Sequence, residues 1–314
     1  MKRIKENLAL EFAAVTDAAA IESAKWIGKG DGKAADKAAV DAMRDRFNRI
    51  DFRGEIVIGE GAKDEAPELY NGEKVGKGKA VCFDIAVDPL ECTNSVAFGR
   101  PNAMSVIAVG PRRSLYRAAD SYMEKIAVGP DAAHVIDLDV SVKENIGNIA
   151  KALKKEISEI TVAVLDRPRH NNLIEEIRKT DARIQLFTDG DVAMAIATCL
   201  AESPVDVLMG VGGSTEAVLA AAALKCFGGE LLCRWKPKED HIPRLHAVGI
   251  TDFDKIFKVE DLAKGDGISF TATGVISGPL LEGVVFKQNV IITHSMVITS
   301  SPKKVIFIKT YHYI

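Results

Sequence analysis

The sequence predicts an α/β protein with an α+β first half and a βαβ second half. Three observations carry that expectation. The first fifty or so residues hold apolar side chains at helical spacing. The period then shortens to β-type runs bounded by Gly and Asp-Pro. Beyond Glu156, strand-like and helix-like segments alternate, which is the pattern of βαβ units around a parallel sheet.

Taken in order, residues 8–27 carry Ala, Val and Ile at helical spacing. Residues 36–50 do so again through Ala39, Val40, Met43 and Phe47. Gly28-Lys29-Gly30-Asp31-Gly32-Lys33 reads as the connector between them. Glu55-Ile56-Val57-Ile58 is a short strand stopped by Gly59-Glu60-Gly61, and residues 81–87 form another that ends at Asp88-Pro89. Pro89 has no N–H to give to a ladder and is expected to end regular pairing there. Residues 103–109 and 126–128 read as further strands. Next come a strand over 160–165, a helix over 171–178, a strand over 183–187 and a helix over 192–200. A strand over 205–209 and a helix over 216–226 complete the alternation. From about Ile268 the tail returns to β-rich sequence at 284–286, 290–292 and 305–308. These readings place a domain boundary near Glu156.

Composition narrows the function. With 47% hydrophobic and 27% charged residues, the 314-residue chain is that of a soluble globular protein. A net charge of −3 leaves no electrostatic footprint for nucleic acid. Such a chain can handle anionic esters only through placed Arg and Lys side chains or bound cations. Five cysteines without a CxxC pair or a zinc-like spacing read as reduced thiols of a cytoplasmic protein. No apolar signal region follows Met1. The longest apolar stretches, such as 218–223, fall far short of the roughly 20 residues of a membrane span.

Carboxylates at strand ends carry the chemistry. Asp84-Ile85-Ala86-Val87-Asp88-Pro89-Leu90-Glu91-Cys92-Thr93 delivers Asp88, Glu91 and Thr93 within a few residues of an apolar strand. A hard divalent cation takes one or two carboxylates plus substrate phosphate. Glu60 sits between glycines, where the backbone approaches a ligand closely. Gly212-Gly213-Ser214-Thr215-Glu216 opens an Ala-rich helix, whose N–H groups and positive end favour an anion. Singly, a solvated loop, a plain turn and a capping glutamate account for these three places better. Together they point at one phosphate and metal site. No Gly-Lys-Ser/Thr follows the glycines, and there is no GxSxG or HExxH. The six histidines are scattered, as surface or satisfied core residues would be.

Asp88-Pro89-Leu90-Glu91-x-Thr93 is similar to the signature of the lithium-sensitive, metal-dependent phosphatase superfamily, which includes inositol monophosphatases and fructose bisphosphatases. Longer blocks narrow the resemblance to class II fructose-1,6-bisphosphatases of the GlpX type. They are Gly59-Glu60-Gly61 with Asp64-Glu65-Ala66-Pro67, Tyr122-Met123-Glu124-Lys125 and Arg167-Pro168-Arg169-His170. Asp189-Gly190-Asp191-Val192-Ala193, Gly212-Gly213-x-x-Glu216, Thr271-Ala272-Thr273-Gly274 and Leu280-Leu281-Glu282-Gly283-Val284 follow in order, from about Leu8 to the C-terminus.

The resemblance implies a sugar-phosphatase fold of layered α-β-α-β-α arrangement. It also implies hydrolysis of fructose 1,6-bisphosphate to fructose 6-phosphate and phosphate, a gluconeogenic step, with Mg²⁺ or Mn²⁺. By motif position Asp36 and Glu60 would hold one metal; Asp88, Glu91 and Glu216 would hold another, with Glu91 shared. Thr93 would aim the attacking water, with Asp36 behind it. Glu91, Cys92, Thr93, Tyr122, Arg167, Pro168, Arg169, Asp189, Gly190, Asp191 and Gly213 would contact the substrate. Residues 1–156 become the metal-binding domain and 157–314 the substrate-binding domain with its β-rich tail. A homodimer or homotetramer is expected, with neither nucleic acid nor membrane as partner. The chemistry agrees: two cations about 3.5–4 Å apart offset phosphate charge and stabilise both oxygens of an in-line displacement. Paired arginines suit a second phosphate.

Three departures stand out. Cys92 replaces a usual glycine before Thr93, which strains the loop if its φ is positive; a thiol exposed there would be open to oxidation. The lysine that relatives carry two residues after Gly30 is displaced by one, leaving Gly32 in its place. Ala62 stands where a further carboxylate is frequent. Sedoheptulose-1,7-bisphosphatase activity, inositol-type monophosphatase activity and a catalytically silent sugar-phosphate-binding protein remain the alternatives.

Overall fold

The computed structural model describes residues 6–61, 68–80 and 82–314. Ala62 and the Asp64-Glu65-Ala66-Pro67 block lie outside the described residues. The chain forms two compact units, Met1–Arg117 with Lys264–Ile314, and Ala118–Ala263. The sequence-based cut near Glu156 therefore falls inside the second unit, and the β-rich tail belongs with the first. The reason is pairing over long range: a strand of the tail is a central member of the first unit's sheet.

The first unit opens with helices α1 (Glu6–Ala24) and α2 (Gly32–Phe47), then β1 (Gly54–Ile58), β2 (Lys74–Val75), β3 (Phe83–Glu91), α3 (Thr93–Phe98) and β4 (Ala103–Pro111). The second unit runs β5 (Tyr122–Val128), α4 (Val142–Leu153), β6 (Thr161–Leu165), α5 (Asn171–Arg178), β7 (Arg183–Phe187), α6 (Asp191–Ala197), β8 (Val207–Gly213), α7 (Ser214–Phe227), β9 (Glu230–Trp235), α8 (Ile242–Ala247) and α9 (Val259–Leu262). The chain then returns to the first unit as β10 (Ser269–Ile276), β11 (Val285–Lys287), β12 (Val290–Ser300) and β13 (Lys303–Tyr313).

The sheet of the first unit has the order β11-β12-β10-β4-β3-β1-β2, with β13 paired to β12. Only β1 and β3 are parallel neighbours among its described strands. Helix α1 packs on α2 and across β10, β12 and β4. Their shared core is aromatic at one end, where the Phe12 and Phe52 rings meet edge-on at 5.2 Å, and aliphatic elsewhere through Met43, Ile56 and Ile85. Helix α2 begins a turn before the apolar period does. The Asp31 carboxylate caps it, accepting a hydrogen bond from the Ala34 N–H at 2.9 Å, which satisfies one of the four donors a helix start leaves open. The glycine-rich connector thus ends as a cap.

Pro89 does not end β3. Asp88 pairs with Val106, two residues then go unpaired, and Glu91 pairs with Met104. The extra residue is a β-bulge, the local kink by which a strand re-aims its last side chains.

In the second unit the sheet order is β7-β6-β8-β5-β9. β6 runs parallel to β7 and β8, as the alternation predicts. β5 runs antiparallel to both β8 and β9, so the sheet is mixed. Ile146, Ile149, Ile174 and Ile177 of α4 and α5 join Ile126, Val162, Val164 and Val207 of the sheet in one cluster. α7 lies against β5, β8, β9 and α6. Its residues from Ala217 to Leu224 are buried all round, as an Ala-rich helix without a polar face must be.

Candidate active site

Asp36, Glu60, Asp88, Glu91, Cys92 and Thr93 lie in the first unit; Tyr122, Arg167, Pro168, Arg169, Asp189, Gly190, Asp191, Gly213 and Glu216 lie in the second. Glu60 leaves the end of β1 in a turn that its own N–H fixes by donating to the Leu69 carbonyl at 3.1 Å. Glycine is needed just before it: a Cβ on Gly59 would lie 1.9 Å from that same carbonyl oxygen. Asp36, on the second turn of α2, meets Glu60 in a side-chain hydrogen bond. Loss of water raises the affinity of both carboxyls for a proton, and the Asp36 charge beside Glu60 pushes that group up to about 8. Two carboxylates facing one another need a proton or a cation between them, so the pair fits a hard divalent ion.

On β3, Asp88 Oδ1 accepts from the Leu90 N–H at 3.1 Å, closing the turn around Pro89. Glu91 is buried, 4% exposed. Cys92 has φ 72° and ψ 49°, the left-handed conformation that makes a glycine natural there. Its side chain is buried in the core cluster of the first unit, so the condition for oxidation, an exposed thiol, is not met. Thr93 opens α3, and its hydroxyl donates to the Leu90 carbonyl at 3.2 Å. Gly32 presses on it from the other side, since a Cβ there would lie 2.9 Å from the Thr93 methyl. Two of the three departures from the family pattern, Cys92 and Gly32, thus meet at the same threonine. Among the described residues no three His, Cys, Asp or Glu side chains close on one point; the acidic groups of the first unit stand as the Asp36–Glu60 pair and the Asp88–Glu91 bulge.

In the second unit Gly213 caps α7, whose third residue is Glu216. The Glu216 carboxylate folds back over the cap: a Cβ on Gly213 would lie 1.8 Å from its Oε2. Thr215 Oγ1 donates to that same oxygen at 2.9 Å. Gly190, at φ 102°, caps α6 and places Asp191 in its first turn. The Lys125 ammonium sits 2.9 Å from Asp191 Oδ2. Burial raises the Asp189 carboxyl, with Arg167 opposing and Asp191 and Glu216 adding to the rise.

The peptide of Val211 is gripped from both ends. Arg169 donates through Nε and Nη2 to its carbonyl at 3.0 and 2.7 Å. Its N–H donates to His170 Nε2 at 2.8 Å. The other ring nitrogen of His170 lies 2.6 Å from the Leu165 carbonyl, so that nitrogen carries the proton and the ring is neutral. Burial lowers its pKa accordingly. This grip fixes the strand that leads into Gly212 and Gly213. Above it, the Tyr122 ring is stacked with His241 at 5.8 Å and has the Arg169 and Lys238 cations over it at 5.3 and 4.9 Å.

Lys125 and His170 escaped the sequence reading as site builders. Two adjacent charges, Glu124 and Lys125, between Met123 and Ile126 were the available signal: on a strand they face opposite sides, so one of them points into the interior and demands a partner.

Carboxylates suited to hard cations in one unit, and a cationic helix start backed by glycines in the other, are the equipment of a metal-dependent phosphatase. The chain belongs to the bacterial fructose-1,6-bisphosphatase family, glpX-encoded, whose profile matches residues 6–312. It is 42% identical over 325 aligned residues to fructose-1,6-bisphosphatase 1 class 2 of Escherichia coli (strain K12), covering 99% of this chain and 96% of that protein. The same values hold for the fructose-1,6-bisphosphatase class 2 of Shigella flexneri.

Proposed function

We infer that the chain hydrolyses fructose 1,6-bisphosphate to fructose 6-phosphate and phosphate. The observation that carries this reading is the family match over residues 6–312, which spans every carboxylate, arginine and glycine of the candidate site. By motif position Asp36 and Glu60 would hold one divalent ion, Mg²⁺ or Mn²⁺, and the Asp88–Glu91 bulge would hold another, to which the family pattern adds Glu216. When bound, these ions supply the positive charge that lets a nucleophile approach a phosphate dianion. Thr93 aims the water, its hydroxyl being able both to donate and to accept. The water oxygen bonds to phosphorus as the phosphorus–oxygen bond to the sugar breaks, and the water's proton ends on the sugar oxygen. Arg167 and Arg169 anchor the second phosphate, Asp189 and Asp191 receive sugar hydroxyls, and Gly190 and Gly213 keep the backbone open to them.

The reaction belongs to carbohydrate metabolism, in the gluconeogenic direction, and to the cytoplasm, where sugar phosphates are handled. Among the described residues no helix is long and apolar enough to cross a membrane. A homodimer or homotetramer is supported by the apolar side chains that β13 leaves exposed.

Phosphate release from fructose 1,6-bisphosphate, followed with Mg²⁺, with Mn²⁺ and with a chelator, tests the reading. Turnover with either ion and none with the chelator is expected. Preference for inositol 1-phosphate, or tight binding without phosphate release, would overturn it.

A further inference from the structure

We propose that Lys125 is a positioning residue for sugar recognition: its ammonium holds one oxygen of Asp191 so that the other meets a substrate hydroxyl. The proposal rests on the fructose 1,6-bisphosphate reading and deepens it.

Lys125 lies on β5, between Gly210 of β8 and Cys233 of β9, in the interior of the sheet. Its side chain is 3% exposed and its Nζ is 2.9 Å from Asp191 Oδ2. The two charges meet in a space that exists only because residue 212 has no side chain. A Cβ on Gly212 would lie 1.7 Å from Asp191 Oδ2 and 2.9 Å from Lys125 Nζ. Three features of the chain, on β5, β8 and α6, therefore converge on one carboxylate oxygen.

Stability does not explain the pair. A buried ion pair recovers little beyond its own desolvation, and an apolar pair of similar volume serves a fold as well. What the ammonium adds is direction: it occupies Oδ2 and leaves Oδ1 to turn toward a ligand. It also offsets the repulsion that Asp191 and the nearby Glu216 would present to an anionic sugar. The site thus keeps carboxylates for hydroxyl recognition without repelling a bisphosphate.

Lys125→Met keeps the stem and removes the charge. It is expected to raise the KM for fructose 1,6-bisphosphate about tenfold, the size of one hydrogen bond to a charged group. kcat/KM for p-nitrophenyl phosphate, which carries no sugar hydroxyl, should fall at least about fivefold less than that for the bisphosphate. Because Lys125 acts through Asp191, Asp191→Asn and the Lys125→Met/Asp191→Asn double variant should share one KM rise instead of multiplying. The double variant, with no unpaired buried charge, gives this comparison even where Lys125→Met alone fails to fold. An unchanged KM, equal losses on both substrates, or multiplicative effects would overturn the proposal. A wild-type protein that cleaves p-nitrophenyl phosphate but not the bisphosphate would instead overturn the substrate reading.

Discussion

Glu60 and Asp36 make the carboxylate pair the first testable residue-scale feature. A carboxyl raised to about 8 in the folded chain keeps a proton that the unfolded chain gives up at ordinary acidic pH. Its contribution to stability is complete below the usual carboxylate range and is lost as pH rises through about 8. The chelator-treated protein should therefore melt at a lower temperature at pH 8 than at pH 6. Mg²⁺ should raise the melting temperature more at the higher pH, because ion and proton compete for the same oxygens. Equal stabilisation by Mg²⁺ at both values would argue that the ion binds elsewhere. Cys92 offers an independent test. A left-handed φ costs an L-residue about 1–2 kcal/mol, whereas burying the thiol returns a comparable amount. Cys92→Gly should then stay within about 1 kcal/mol of wild type, while Cys92→Val, β-branched, should lose about 2 kcal/mol or more in a thermal melt. A Cys92→Val variant as stable as its parent would show that this backbone is not held in the left-handed region.

At the scale of elements, one buried carboxylate stitches a helix to three strands. Asp17 of α1 accepts from Thr273 of β10 at 3.0 Å and from Ser295 of β12 at 2.6 Å, and stands 3.6 Å from His312 of β13. Asp17→Asn keeps an acceptor for both hydroxyls and should cost no more than about 1 kcal/mol in denaturant unfolding. Asp17→Ala leaves them without it and should cost about 2–3 kcal/mol. This stitch was illegible beforehand, because an aspartate on an Ala-rich helix reads as part of a solvated face. Legibility followed local physics throughout. Helix 171–178 is found as α5 at those bounds, and β1 begins one residue before its predicted start, since periodicity and flanking breakers suffice there. β5 begins at Tyr122, four residues early, and β9 was not anticipated, because their polar side chains find partners only across the sheet. The strand-end acids could be picked out for the opposite reason: carboxylates following apolar runs are conspicuous without any tertiary knowledge. Which oxygen each would face, and that Lys125 would stand behind Asp191, depended on neighbours far along the chain.

For the whole molecule, the proposed oligomer turns on β13. Its side chains alternate, and Val305, Phe307, Tyr311 and Tyr313 are all exposed on one face of an eleven-residue strand. Among the described strands only β12 pairs with it. A long edge with an apolar face is a liability in a monomer. A second copy would remove it by pairing antiparallel about Ile308, which would set Val305 of one copy against Tyr311 of the other, a favourable β-branched and aromatic pair. The lysines permit this register. Lys303 and Lys304 of the two copies fall at opposite ends, about 30 Å apart at strand spacing, and Lys309 near the centre is held by its own Glu282 at 2.7 Å. Lysine on an edge strand is a device against such pairing; here the charge is moved aside or matched. Light scattering of the wild-type chain at micromolar concentration should give a dimer or a multiple of it. Phe307→Lys with Tyr311→Lys, which places like charges across the same interface, should shift it to monomer while leaving phosphate release per chain within about threefold, since neither residue belongs to the site. A wild-type monomer, or a variant that keeps its mass, would show that this edge is covered in another way.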